Sequence, residues 1–293
     1  YNYQWEQKLI PYWKGINIWS FREGTTIAES VRLAKAAGFE GIELSLNEDG
    51  ELGLQTTDKE AGEIRRHVED AGLEIAGLAT GLYWSYSMTS DQEANRIKAA
   101  DICKKQLELA AALGVDAILV IPGAVGVDFI PGSGVVPYDK AYDRALEAIG
   151  KLAVEAEKAG VSIGIENVWN KFLLSPLEIR GFIDAVGSPY VGSYLDIGNV
   201  LYSGYPEHWV RILGPRIKKV HFKDYRREAG GLHGFVDLLA GNVDYPAVVA
   251  ALREVGYTNY VTAEMIPHYE HHSEQIIFNT SAAMDAILGR TRA

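Results

Sequence analysis

Cysteine occurs once in this 293-residue chain, as Cys103, so no internal disulfide closes and a reducing compartment is expected. Cys103 sits in a helical pattern and reads as a small buried hydrophobe. Basic residues are outnumbered: 28 Lys and Arg stand against 39 Asp and Glu, leaving a formal net charge of -11. Affinity for a phosphate backbone rests on Lys and Arg, so no nucleic-acid partner is expected. No apolar run approaches the ~20 residues that a bilayer-crossing helix needs, and no basic-then-apolar leader precedes the first strand. Those two absences point away from a membrane partner and towards a cytoplasmic protein. Neither a Gly-x-Gly-x-x-Gly after the first strand nor a Gly-x-x-x-x-Gly-Lys is present, so no nucleotide cofactor is indicated.

What the chain does have is four short apolar runs that end on metal-binding residue types. They are Val161–Asn167 with Glu166, Tyr190–Asp196 with Asp196, Ile217–Asp224 with His221, and Asn259–Glu264 with Glu264. Each is rich in β-branched or aromatic residues, the pattern of a strand buried on both faces. A polar residue at one strand end marks only where the chain meets solvent. Four such ends, spaced 25 to 43 residues apart, match one strand-helix unit each and converge on one face of a barrel. Three carboxylates and one imidazole suit a divalent cation, with manganese favoured over cobalt or magnesium.

The rest of the chain repeats the same unit. Strands are expected at Gly15–Trp19, Phe39–Leu44, Leu73–Leu78 and Val115–Ile121. Helices are expected at Thr26–Ala37 with Gly38 as its stop, from Thr57 and Asp58 to Ala71, at Asp91–Leu113, and at Asp139–Ala159. Eight such repeats predict an α/β fold, a single (β/α)8 TIM barrel over residues 1–293 with a short aromatic amino-terminal arm, Tyr1–Trp13. The arm and the apolar Gly-Val loop Pro122–Pro137 are poor candidates for free exposure, which predicts a homodimer or homotetramer.

At Ile165-Glu-Asn-Val-Trp169, Leu195-Asp-Ile-Gly-Asn199, Val220-His-Phe-Lys-Asp224, Gly241-Asn-Val-Asp-Tyr245 and Thr262-Ala-Glu264 the chain resembles the xylose-isomerase-like sugar isomerase and epimerase superfamily. The resemblance covers nearly the whole chain. It is nearest to ketose 3-epimerases of the D-tagatose and D-psicose type and to L-xylulose and L-ribulose phosphate 3-epimerases. It implies that Glu166, Asp196, His221 and Glu264 are the protein ligands of one manganese, cobalt or magnesium ion. Two positions depart from the tagatose type: Asn199 stands in place of a substrate-binding His, and Phe172 in place of a Glu. Arg227 matches an Arg expected on substrate oxygens or phosphate.

Inverting a carbon beside a carbonyl requires proton removal on one face and return on the other. Glu166 and Glu264 lie on well-separated strands and are the expected catalytic pair. His221 and Asp196 are expected to ligate only. Trp19, Tyr83 and Trp84 are aromatic candidates for stacking on a sugar, with core packing as the alternative. Lys223 and Asp224 read equally as a solvent-facing ion pair or as substrate contact, and His268, His271 and His272 as a solvated loop or subunit contact. The expected activity is a metal-dependent ketose or ketose-phosphate 3-epimerase acting on a small carbohydrate. Its rivals are an aldose-ketose isomerase, a keto-inositol dehydratase or a lyase with the same metal site, an endonuclease on damaged DNA, and a sugar-binding barrel without catalysis.

Overall fold

The computed structural model describes residues 12–290. Its strands, in chain order, are β1 (Trp13–Asn17), β2 (Gly41–Leu46), β3 (Glu74–Thr80), β4 (Ala117–Val120), β5 (Ser162–Glu166), β6 (Val191–Asp196), β7 (Ile217–Phe222), β8 (Asp224–Tyr225), β9 (Phe235–Val236) and β10 (Tyr260–Ala263). Eight of them, β1 to β7 and β10, form a closed parallel barrel in which β10 lies between β7 and β1. β8 and β9 make a small antiparallel hairpin above it. The barrel strands are apolar without alternation because their outer faces pack on helices and their inner faces on one another.

Around the barrel run α1 (Ile27–Ala37), α2 (Asp58–Asp70), α3 (Glu93–Leu113), α4 (Tyr138–Ala159), α5 (Pro176–Val186), the four-residue α6 (Ile197–Val200), α7 (Pro206–Leu213), α8 (Tyr245–Glu254) and α9 (Gln275–Ile287). Their ends follow local chemistry. Thr57 and Glu60 form a reciprocal capping box at the start of α2, and Gly38 closes α1 in the left-handed conformation at φ 90°. Among the described residues no helix is long and apolar enough to cross a membrane.

One difference from the sequence reading and two placements bear on the site. The first strand is Trp13–Asn17, two residues earlier than expected, because the Asn17 side chain accepts the Trp19 N–H and bends Ile18–Ser20 into a 3-10 turn. That turn carries Trp19 towards the barrel mouth. Most of the aromatic arm, residues 1–11, lies outside the described residues; of the remainder, Tyr12 is buried against Tyr257 and Trp13 packs on Tyr260. The Pro122–Pro137 loop is tied to neighbouring loops by Val125 N–H to the Asn170 carbonyl and by Thr89 Oγ1 to the Ala124 carbonyl, which sets Phe129 edge-on against Trp84.

Candidate active site and metal centre

Glu166 ends β5, Asp196 ends β6, His221 is the penultimate residue of β7, and Glu264 directly follows β10. Strand register brings them level: Asp196 pairs with His221 across β6 and β7, and His221 with Thr262 across β7 and β10. All four are buried, and one ligand atom from each lies within 4.8 Å of the others. His221 Nδ1 is 3.2 Å from Glu264 Oε2, 3.6 Å from Glu166 Oε1 and 3.7 Å from Asp196 Oδ2.

Among the described residues, His221 Nδ1 and Asp196 Oδ2 are buried side-chain atoms with no hydrogen-bond partner. Orphaned polar atoms of that kind cost free energy unless something satisfies them. One imidazole nitrogen and three carboxylates facing one another fit a divalent cation.

The electrostatics of the cluster are uneven. Burial, with the nearby Glu264 and Asp196 charges, pushes the Glu166 carboxyl up to about 7. Burial opposes ionisation of Glu264 as well, but Lys223 and His221 outweigh it and hold that carboxyl at about 2. Burial likewise disfavours a charged His221, yet the surrounding carboxylates, Glu43 foremost, hold its pKa well above the ordinary imidazole range.

Lys223 is not solvent-facing. It is buried, with Nζ 3.3 Å from Glu264 Oε2, 3.4 Å from Asp196 Oδ2 and 3.4 Å from Asn199 Oδ1, and it lies over the Phe235 ring. The alternation of β7 turns this residue to the barrel axis. Asp224 is no surface partner for it, since that carboxylate is buried and accepts the backbone N–H groups of Tyr225, Leu239 and Val243.

Asn199 donates from Nδ2 to the Asn167 carbonyl, while Asn167 holds the backbone of Asp196 through both amide atoms. A cavity of about 250 Å³ above the cluster is lined by Trp19, Trp84, Glu166, Asn199, Lys223 and Glu264, among others. Tyr83 is not among the residues brought there: it is core, donating its hydroxyl to Gln106. Phe172 is buried beside Tyr138 and Tyr142. Arg227 is engaged by the chain, with Nε donating to the Leu201 carbonyl at 3.0 Å and the guanidinium over the Tyr205 ring. His268 contacts the Trp19 carbonyl through Nε2, and His271 and His272 are exposed.

Glu43, on β2, is the residue that sequence reasoning missed. It is fully buried and its Oε1 lies 2.6 Å from His221 Nε2, while Tyr194 Oη and Asn17 Nδ2 donate to the same carboxylate. When a bound cation displaces the proton from Nδ1, the Nε2 proton donated to Glu43 would fix the neutral tautomer whose Nδ1 lone pair faces the three carboxylates, the one a metal ligand needs. Burial works against its charge, but His221 and the two other donors hold Glu43 below the usual carboxylate range. The available signal was a charged residue inside a strand buried on both faces, which is tolerated only when paired. Gly77 makes room for this network, since a Cβ there would sit 2.8 Å from Glu43 Oε2.

The L-ribulose-5-phosphate 3-epimerase UlaE of Salmonella paratyphi C is 24% identical over 265 residues, 88% of this chain and 88% of that protein. The L-ribulose 3-epimerase of Mesorhizobium japonicum is 25% identical, covering 84% of this chain and 78% of that one. The D-psicose 3-epimerase of Clostridium cellulolyticum, solved with D-tagatose, superposes with a TM-score of 0.78 at 15% identity over 94% of this chain and 98% of its own. The family model described as xylose isomerase-like TIM barrel matches residues 31–286, and with the closed eight-stranded barrel this places the chain in the xylose isomerase-like TIM barrel family.

Proposed function

We propose that the protein is a divalent-metal-dependent ketose or ketose-phosphate 3-epimerase. The observation that carries this reading is the position of Glu166 and Glu264, two buried carboxylates from non-adjacent strands that flank one pocket and share a four-residue ligand cluster. Relatives named as L-ribulose and L-ribulose-5-phosphate 3-epimerases support it. Glu166, Asp196, His221 and Glu264 would hold the cation, with manganese favoured. When bound, such an ion polarises a substrate carbonyl and stabilises the negative charge that develops on its oxygen.

The chain's own residues do the rest. Glu264 takes the proton from the carbon beside the carbonyl, with Lys223 Nζ 3.3 Å from its Oε2. Glu166, on the other side of the pocket, delivers a proton to the opposite face, and the reverse reaction exchanges the two roles. Asn199 and Lys223 offer hydrogen bonds to sugar hydroxyls, and Trp19 and Trp84 offer apolar faces to C–H groups. A non-catalytic sugar binder would have little use for two buried carboxylates beside a complete ligand set. We place the protein in the cytoplasm as a homodimer or homotetramer, and sedimentation at micromolar concentration checks the assembly.

The central test is metal analysis of the purified protein followed by proton-deuterium exchange at substrate C3 in heavy water. Exchange is expected only with metal, and Glu166→Gln and Glu264→Gln each lower it about 10²- to 10⁴-fold with the fold intact. Exchange that survives chelation, or either variant at near-parent rate, refutes the assignment.

A further inference from the structure

A second cavity adjoins the inner pocket. It measures about 460 Å³ against about 250 Å³, and Phe129, Val168, Trp169, Asn199 and Leu232 belong to the walls of both. Its depth is formed by the buried Phe172, Leu173 and Trp209, and its rim by Leu174 and Tyr202, which are 62% and 64% exposed. The inner pocket alone falls below the ~300 Å³ at which sites for drug-sized ligands begin, whereas the two together fall well inside that range.

The walls of this second cavity are mostly apolar, and several of its polar side chains are engaged, with the Ser203 and Tyr202 hydroxyls and the Trp209 indole N–H as further polar groups. Asn167 holds the Asp196 backbone with both amide atoms, Asn199 Nδ2 donates to the Asn167 carbonyl, and Trp169 Nε1 donates to the Asn199 carbonyl at 3.0 Å. Lys171 is paired with Asp128 at 2.8 Å. What the cavity chiefly offers a ligand is hydrocarbon and aromatic faces. A sugar hydroxyl or a phosphate set against the Phe172, Leu173 and Val200 walls would give up water there without gaining partners, which costs free energy. Aromatic rings and aliphatic chains lose nothing, and they would cover the exposed rim.

We infer that the substrate is a keto sugar bearing an apolar aryl or alkyl substituent, which fills the second cavity while the carbonyl end reaches the carboxylate cluster. This rests on the epimerase reading above and adds the substrate class to it. The occupant is part of the substrate and not a partner chain, because the cavity adjoins the inner pocket and shares five wall residues with it. The chemistry needs no co-reactant: one C–H bond beside the carbonyl breaks, one forms on the opposite face, and the bond to the substituent is untouched.

The test compares matched sugars on the manganese-loaded enzyme: ketohexoses, their 6-O-benzyl ethers, and ketopentose 5-phosphates, read by deuterium incorporation. The benzyl ethers are expected to exceed their parents about tenfold to a hundredfold in kcat/KM, the worth of burying one phenyl group. Leu174→Arg changes an exposed rim residue, so it folds, and it should collapse that ratio towards one. A separate measurement titrates metal-free protein with an inert 6-O-benzyl hexitol and with the plain hexitol. Tighter binding of the benzyl compound, lost in Leu174→Arg, supports the inference. Benzyl ethers no better than their parents, phosphates better than both, or equal binding of the two hexitols overturns it. If no sugar exchanges at all, the epimerase reading fails, and the hexitol comparison then decides the role of the cavity on its own.

Discussion

His221 has two ring nitrogens with different duties. Nε2 faces Glu43 and Nδ1 faces the three carboxylates, so the ligand's orientation is decided on β2, on the far side of the ring closure from β7. Glu166, Asp196, His221 and Glu264 were legible because each terminates an apolar run. Glu43 was not, because its partner lies 178 positions away in sequence and only barrel closure brings them together. Glu43→Gln preserves shape but offers an amide that need not fix the Nε2–H tautomer. Outer partners of this kind are worth roughly 10- to 100-fold in metal affinity. Manganese binding measured by calorimetry should weaken by that factor while the circular dichroism spectrum stays unchanged, and parent-like affinity would show that Glu43 serves packing alone.

At the scale of elements, the strands and long helices followed from periodicity and capping, whereas the connection after β7 did not. Strands of two residues, such as β8 and β9, carry no periodic signal. Yet this connection delivers Leu232 and Phe235 to the pocket wall, with Phe235 stacked on Trp169 at 5.1 Å. Asp224 is what pins it: one buried carboxylate accepts N–H groups from positions 225, 239 and 243. Asp224→Ala leaves those donors without their acceptor, at about 1–3 kcal/mol for each that stays buried. A loss of about 3 kcal/mol or more is expected in urea unfolding, and a loss under about 1 kcal/mol would mean the loop finds other acceptors. Lys223 precedes Asp224 in the chain, so the same variant should also disturb the pocket.

Across the whole molecule, the ligand cluster ties four strands that occupy consecutive places in the closed barrel, β5, β6, β7 and β10. Without metal these are three carboxylates buried together, and burial first, then the charges of Glu264 and Asp196, push Glu166 upward. Function and stability therefore pull apart here. Replacing Glu166 with Gln removes one charge from the cluster, so the metal-free variant should be at least as stable as the parent. Manganese should reverse that order. At a concentration one hundred times Kd, a ligand that binds only the folded chain contributes about 2.7 kcal/mol, which for a domain of this size corresponds to a rise of roughly 5 °C or more in Tm. Scanning calorimetry with manganese and with chelator should show that rise in the parent and a much smaller one in Glu166→Gln. Equal melting of the parent in both conditions would mean that the carboxylates hold no cation, and a metal response undiminished in the variant would remove Glu166 from the ligand set.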